Sequence, residues 1–551
     1  MNFKEKVVYQ IYPKSFYDSN GDGVGDLQGI IQKIPYLADL GVDVLWFNPF
    51  FKSPQHDNGY DISDYCAIDP LYGTMSDFEQ LVSEMTKYKM EIMLDMVLNH
   101  TSTDHPWFQK ALAGEEKYQN YYILRPAKKD GGIPTNWDSK FGGKAWNRFG
   151  QTNNYYLHLF DKTQADLNWR NPEVREEMQK IVQFWLDKGV RGFRFDVINL
   201  IGKDEELHQA TDDVGKYLYT DRPIVHEFLH QLNQATFGKY PTMTVGEMSA
   251  TTIENCILYT QPDRQELDMT FNFHHLKVDY DNGNKWSKAP VRFNELTTLL
   301  HDWGEGMSEA EGWNALFWNN HDQPRALTRF ADDQKLRVPS AKMLATAIHL
   351  NRGTPFIYQG EEIGMTDPYF ESIDEYRDVE SLNAYDKLRE EGLSNTNALE
   401  IIQTKSRDNS RTPIPWNNQV NAGFSTGTPW LGLGKNWQTV NINNELTNGS
   451  IYSYYQKLIQ LRKTYSVISR GDYQAFDRDN TSCYSYIRED SSAKLLVITN
   501  FTSNSIAYDL PEEWQTAEVL INNYDTEVTL TDSHSRAVPL QAYQALALLI
   551  N

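Results

Sequence analysis

Ionisable side chains at the ends of apolar runs are the part of this 551-residue chain most suited to chemistry. Asp95 with His100, Arg194 with Asp196, Glu247, and His321 with Asp322 each close a stretch rich in Val, Phe, Met or Trp. A lone carboxylate in such a place can be structural. Several together repel one another unless a positive charge forms between them. Glycosidic bond cleavage needs that set: a carboxylate for the anomeric carbon, a proton donor for the leaving oxygen, and fixed charge around an oxocarbenium ion.

The stretch 192–199 shows the arrangement most plainly. Phe193, Phe195 and Val197 alternate with Arg194 and Asp196, which predicts a strand with an aromatic face and an ionic face. Taken alone, Arg194 and Asp196 also fit an ordinary ion pair at a strand end. The element before it is an amphipathic helix. Asn171 and Pro172 suit its N-cap and first position, Val174, Met178, Ile181, Val182 and Trp185 carry its apolar spacing, and Gly189 stops it.

The same rhythm recurs along the chain. Apolar strand patterns at 7–12, 42–49 and 91–100 are separated by helical patterns at 27–39 and 75–89, and further strands follow at 243–247, 267–273, 315–320 and 354–358. Eight nearly continuous apolar strands with intervening helices predict an α/β fold, a (β/α)8 TIM barrel whose C-terminal strand ends share one face. Residues 1–100 and 170–470 are assigned to the barrel. Residues 101–169 break the rhythm and read as an inserted subdomain, while 368–446 reads as loops and short helices over one barrel face. Short alternating runs at 483–487, 495–499, 517–521 and 546–550 make residues 471–551 a C-terminal antiparallel β domain, expected as a sandwich.

A net charge of −23 argues against nucleic acid and anionic membranes as partners, and an anionic substrate would need a local basic patch. No apolar run reaches the roughly 18 residues needed to span a bilayer. Cys66, Cys256 and Cys483 are few, odd in number and far apart, which fits a reducing compartment. With no signal-peptide pattern at the N-terminus, the expected location is cytoplasmic. No organic cofactor is expected, and oligomeric state is not readable. The loop 18–26 places Asp18, Asn20, Asp22, Val24 and Asp26 at alternate positions with glycines between most of them. This spacing suits either a short calcium loop or a polar turn held by Asx hydrogen bonds.

Taken in order, Asp95-Met-Val-Leu-Asn99-His100, Gly192-Phe-Arg-Phe-Asp196, Gly246-Glu-Met248 and Asn320-His-Asp322 resemble the four signature regions of the α-amylase superfamily, glycoside hydrolase family 13. The resemblance spans the chain, including the insertion and the C-terminal domain. It implies a retaining mechanism with Asp196 as nucleophile, Glu247 as general acid and then base, and Asp322 as stabiliser. Arg194 would keep the nucleophile ionised, and Glu247 should carry a raised pKa. The resemblance also implies that Asp57, Tyr60, His100, His321 and Arg411 surround the non-reducing glucose, and that loop 18–26 holds a structural calcium.

Gln164-Ala-Asp166-Leu-Asn168 and Val197 resemble the oligo-1,6-glucosidase group of that family. Within it, His274 and Lys277 stand where relatives acting on neutral sugars tend to carry acidic residues, and Lys285 and Lys288 follow. This implies a phosphate near the leaving-group sugar, hence a phosphorylated disaccharide partner, with α,α-trehalose 6-phosphate split to glucose and glucose 6-phosphate. Lys277, Lys285 and Lys288 are the candidate phosphate contacts; a solvated loop is their simpler reading. The alternatives are hydrolysis of neutral isomalto-oligosaccharides, and a catalytically dead barrel serving as a scaffold or transporter subunit. The second fits poorly with a complete carboxylate set.

Overall fold

A computed structural model describes residues 2–211, 215–530 and 537–551. Eight parallel strands form its central sheet: β1 (Val8–Ile11), β2 (Val44–Phe47), β3 (Glu91–Met96), β4 (Gly192–Phe195), β5 (Met243–Glu247), β6 (Met269–Phe271), β7 (Ala315–Leu316) and β8 (Thr354–Tyr358). Their hydrogen-bonded order is β6-β5-β4-β3-β2-β1-β8-β7. A parallel bridge from Thr270 to Asn314 joins the two ends, so the sheet closes into the expected TIM barrel. Every residue of β1, β2, β4, β5 and β8 is buried, as expected of strands covered by helices outside and side chains within.

Several strands are shorter than their apolar patterns predict: 42–49 gives Val44–Phe47, 91–100 gives Glu91–Met96, 267–273 gives Met269–Phe271 and 315–320 gives Ala315–Leu316. After Leu316 the chain leaves the ladder and side chains take over the backbone bonding. Asn320 Oδ1 accepts from the Asp322 N–H at 2.8 Å, and Asn319 Oδ1 accepts from Ala326 N–H at 2.6 Å. The apolar run continues past the strand because Phe317 and Trp318 remain buried in the turn.

Local chemistry accounts for the element that leads into the site. The helix Pro172–Asp187 starts where the Asn171 side chain accepts from Glu173 N–H, and it buries Val174, Met178, Ile181, Val182, Trp185 and Leu186. Gly189, at φ 97°, takes the left-handed turn that ends it. Gly192 then permits β4 to lie against β3: a Cβ there would sit 2.6 Å from the Met93 Cβ.

The insertion contains an antiparallel pair, His100–Ser102 with Gln164–Asp166, and a three-stranded sheet of Leu124–Pro126, Asn154–Leu157 and Trp146–Arg148. Over the same barrel face lie the helices Val379–Glu390, Asn395–Lys405 and Asp408–Arg411. The C-terminal part has a five-stranded antiparallel sheet in the order Asp472–Phe476, Cys483–Glu489, Lys494–Asn500, Ala545–Ile550, Glu518–Asn522. A ribbon of Ile506–Asp509 with Ala537–Leu540 accompanies it. Its period-two pattern separates two cores: Tyr484, Tyr486, Leu495 and Val497 join the barrel's core, whereas Cys483, Leu496, Ile498 and Leu548 pack with Trp514. All three cysteines are free, and no helix among the described residues is long and apolar enough to cross a membrane.

Candidate active site

Parallel register brings the ionic residues together. Arg194 on β4 lies opposite Asp95 on β3, and Phe195 lies opposite Gly246, one residue before Glu247 on β5. Arg194 Nη1 donates to Asp95 Oδ1 and Asp196 Oδ1, each at 2.6 Å, and Nη2 donates to Glu247 Oε2 at 2.5 Å. Immediately after Asp196, Val197 adopts φ 38° and ψ 40°, a left-handed conformation that is strained for a β-branched residue. That turn aims its N–H at Glu247 Oε2, 3.2 Å away.

A second layer fixes the opposite wall. Gln10 Nε2 donates to His321 Nδ1 at 2.9 Å, which leaves the ring proton on Nε2. From there His321 faces Tyr60 Oη at 2.7 Å and Asp322 Oδ2 at 3.1 Å, while Tyr60 Oη donates to Asp95 Oδ2 at 2.8 Å. The Tyr60 and His321 rings stack 5.2 Å apart and 3° from parallel. Arg411 Nη2 holds Asp322 Oδ1 at 2.7 Å. Asp57 receives Arg407 Nη2 on one oxygen at 3.2 Å and Gln164 Nε2 on the other at 3.1 Å. His100 Nε2 lies 3.3 Å from the same Gln164 nitrogen.

These groups line a cavity of about 200 Å³, with Asp57, Tyr60, His100, Asp196, Glu247, Asp322 and Lys285 in its wall. Arg194, His321 and Arg411 are fully buried behind that wall, gripping the groups in front. The other two lysines are elsewhere. Lys277 is an exposed side chain after β6, and Lys288 lies on the surface paired with Glu400 at 2.6 Å. Lys285 reaches the cavity but is neutralised by Glu380 at 2.7 Å. The lining residues Lys140, Phe141, Phe160, Gln164, Gln323, Glu380 and Arg407 were not anticipated from sequence as site residues. Arg407 and Gln164 lie in segments already singled out for Arg411 and for group resemblance, so their polarity was available as a signal. Nothing local distinguished Lys140 from the many other lysines of the insertion.

Charge is shared unequally. Burial raises the pKa of Asp95 and of Asp196, with Arg194 opposing it in both cases. The net direction at Asp196 is therefore upward, against the expectation that Arg194 alone would set it. Burial pushes Glu247 up to about 8, with the Asp196 carboxylate adding to the effect and Arg194 resisting it. Asp322 goes the other way: burial would raise it, but His321, Arg407 and Arg411 together hold it well below the usual carboxylate range. Asp196 and Glu247 are close enough to share a hydrogen bond. An inverting pair needs a water between carboxyls about 6.5–9.5 Å apart, so this proximity favours retention.

The loop 18–26 lies outside this cavity. Asp18 Oδ1 accepts from Asn20 and Gly21 N–H, Asn20 Oδ1 from Asp22 N–H, and Asp22 Oδ1 from Val24 N–H. Asp18 Oδ2 also accepts from Gly23 N–H and Ser425 Oγ, and Asp26 caps the following helix through Gly29 N–H at 2.6 Å. Among the described residues no group of three or more His, Cys, Asp or Glu side chains is placed to hold a metal. The loop's side-chain oxygens are mixed, the Asn20 amide with the carboxylates of Asp18, Asp22 and Asp26, and oxygen donors of this kind suit a hard cation.

A closed barrel that gathers an ionised carboxylate, a protonated glutamic acid and a third carboxylate in one cavity at its C-terminal face defines a glycoside hydrolase. A family model described as the alpha amylase catalytic domain matches residues 10–471. The chain belongs to the alpha-amylase family. It is 54% identical over 528 residues to a trehalose-6-phosphate hydrolase of Bacillus subtilis, covering 95% of this chain and 94% of that one. It is 46% identical over 554 residues to an oligo-1,6-glucosidase of Bacillus cereus, covering 99% and 98%. A crystal structure of the Bacillus licheniformis trehalose-6-phosphate hydrolase superposes with a TM-score of 0.96 at 49% identity, covering 99% of each chain.

Proposed function

We propose that this enzyme is a retaining α-glucosidase that hydrolyses α,α-trehalose 6-phosphate to glucose and glucose 6-phosphate. Asp196 attacks the anomeric carbon while Glu247 passes its proton to the departing glycosidic oxygen, releasing glucose 6-phosphate and leaving a glucosyl ester on Asp196. Glu247, now a carboxylate beside Arg194, takes a proton from water. The hydroxide attacks the same carbon and frees Asp196, so two inversions return the α configuration. Asp322, kept ionised by Arg411 and His321, accepts hydrogen bonds from ring hydroxyls. Asp57 and Arg407 hold the far edge of the glucose.

The observation that carries the reading is the cavity of about 200 Å³ with Asp196, Glu247 and Asp322 in its wall and Lys140 and Lys285 beside them. The identity to trehalose-6-phosphate hydrolases supports the phosphorylated substrate. A second reading, cleavage of neutral isomalto-oligosaccharides, is favoured by the comparable coverage of the oligo-1,6-glucosidases. Comparing kcat/KM on trehalose 6-phosphate and isomaltose decides between them: a clear preference for the phosphorylated sugar is expected, and efficient isomaltose cleavage with no phosphate dependence would overturn it. The mixed oxygen donors of loop 18–26 support a structural calcium, away from the chemistry. A phosphorylated sugar and three free cysteines support a cytoplasmic location.

A further inference from the structure

An amide interrupts the apolar run of β1. Gln10 is buried, as is Asn48 just beyond β2, and neither lines the catalytic cavity. The barrel fixes both backbones: Gln359 N–H donates to the Gln10 carbonyl and Asn48 N–H to the Ile11 carbonyl, each at 3.1 Å. A buried amide is costly unless its neighbours use its polar atoms. Here the neighbours are each other, His321 and Tyr60, and beyond those two rings stand Asp322 and Asp95.

The direction of every hydrogen bond in this group follows from its two ends. Asp95 and Asp322, as carboxylates, only accept. Tyr60 Oη has one proton, which goes to Asp95 Oδ2 at 2.8 Å. The other groups that meet the same oxygen must then donate to it: Asn48 Nδ2 at 2.8 Å and His321 Nε2 at 2.7 Å. His321 Nε2 also faces Asp322 Oδ2 at 3.1 Å, which again requires a proton on that nitrogen. With its Nδ2 turned to Tyr60, Asn48 presents its oxygen to Gln10. With its proton on Nε2, the neutral imidazole presents a lone pair on Nδ1. An amide nitrogen, with two N–H bonds, can meet both acceptors at once. Gln10 Nε2 does so, at 2.9 Å from each. The Tyr12 ring lies 6.2 Å from the imidazole and 17° from parallel, helping to hold its plane.

Resting on the retaining-glucosidase reading above, with either leaving sugar, we propose that Gln10 and Asn48 are positioning residues for the reaction. Gln10 keeps His321 in the tautomer that donates to Asp322, and Asn48 keeps Tyr60 donating to Asp95. The consequence is electrostatic. Asp322 meets a donor at each oxygen, His321 at Oδ2 and Arg411 at Oδ1, so it stays ionised and can accept from sugar hydroxyls. In the opposite tautomer Oδ2 would face a lone pair, and the carboxyl would take up a proton instead. The groups around the ring keep it neutral. Burial, Arg411 and Arg194 disfavour a positive imidazole, Asp322 favours one, and the net shift is downward. Burial raises Tyr12 and Tyr60, so neither phenol ionises beside the ring.

Neutron diffraction from the perdeuterated enzyme reads the tautomer without any variant. A deuteron on His321 Nε2, none on Nδ1, and the Tyr60 deuteron directed at Asp95 are expected; a deuteron on Nδ1, or a Tyr60 deuteron aimed at Asn48, overturns the assignment. The kinetic test compares Gln10→Glu with Gln10→Met, on whichever of trehalose 6-phosphate and isomaltose the parent cleaves faster. While protonated, the carboxyl introduced by Gln10→Glu can donate to Nδ1 as the amide does. Once that proton is lost, a carboxylate faces Nδ1 and draws the ring proton away from Asp322. The ratio of the variant's kcat/KM to the parent's, in which shared ionisations cancel, is therefore expected to fall about tenfold between about pH 5 and 8. For Gln10→Met the ratio should be low and level with pH. A level ratio in Gln10→Glu, or an equal fall in Gln10→Met, overturns the positioning role, because packing alone has no pH dependence. If Gln10→Glu does not fold, the neutron map decides. A parent that cleaves neither sugar rejects the glucosidase reading and leaves the tautomer to the neutron map. One that cleaves either while the Gln10→Glu ratio stays level keeps the reading and rejects the positioning role.

Discussion

Arg194 Nη2 and Glu247 Oε2 lie 2.5 Å apart, yet that guanidinium also holds Asp95 and Asp196. One buried positive charge cannot keep three buried carboxyls ionised, and the proton resides on Glu247, whose pKa is about 8. An unfolded glutamate titrates near 4.5, so between these values the folded chain binds the proton more tightly than the unfolded chain does. Stability supplied by this group is therefore present at low pH and lost as pH rises toward 8. Glu247→Gln cannot ionise. Its melting temperature should gain on the parent's between about pH 5 and the region of Glu247 ionisation, while turnover of the disaccharide falls about 10²–10⁴-fold. The alkaline limb of kcat/KM that Glu247 imposes should vanish in the same variant. A melting difference that does not change with pH would count against a protonated Glu247.

Asp196→Asn tests the other half of the pair. It removes the attacking oxygen but preserves the shape of the turn that strained Val197 completes. Activity should fall on the order of 10⁴-fold, with folding intact. In the parent enzyme, proton NMR during hydrolysis should show α-glucose appearing before mutarotation. Initial β-glucose would mean that a water, not Asp196, attacks first.

Arg407 bridges four acidic side chains: Asp57 at 3.2 Å, Asp378 at 2.5 Å, and Asp322 and Glu380 each at 3.5 Å. Removing one partner of a buried ionic network leaves the others uncompensated, at about 3–5 kcal/mol. Arg407→Ala should therefore melt well below the parent. Arg407→Lys keeps the charge but not the planar fork, so it should recover much of the stability while KM stays raised. Full recovery of KM by lysine would show that charge alone, without geometry, serves Asp57.

The barrel was legible because eight apolar runs repeat with amphipathic helices between them, a pattern fixed by burial on both faces of each strand. Asp196, Glu247 and Asp322 were legible because a carboxylate at the end of such a run is expensive to bury without a task. What local pattern does not encode is which long side chain crosses space to meet another. Arg407 reaches Asp57 across 350 positions of sequence, and Lys140 enters the cavity from an insertion with no periodic signal. Lys285 and Lys288 looked available as anion contacts because their partners Glu380 and Glu400 lie about a hundred residues away. The end of β7 was overestimated because Phe317 and Trp318 stay buried after the ladder stops.

The loop 18–26 offers a final test, because side-chain hydrogen bonds organise its backbone. Val24 N–H donates to Asp22 Oδ1 at 2.9 Å, and the other Asp22 oxygen accepts no hydrogen bond from the described residues. If the loop is only an Asx turn, Asp22→Ala loses about 0.5–1.5 kcal/mol whether or not calcium is present. If calcium binds, the folded parent gains about 2.7 kcal/mol at a hundredfold excess over Kd, and the variant loses most of that gain. The expected result is a parent melting temperature that falls in EDTA and returns with calcium, beside an Asp22→Ala melting temperature that hardly responds. Turnover measured below both melting points should stay near the parent's, since loop 18–26 touches none of Asp196, Glu247 or Asp322. Identical melting of the parent in EDTA and in calcium would leave the loop as a turn held by hydrogen bonds alone.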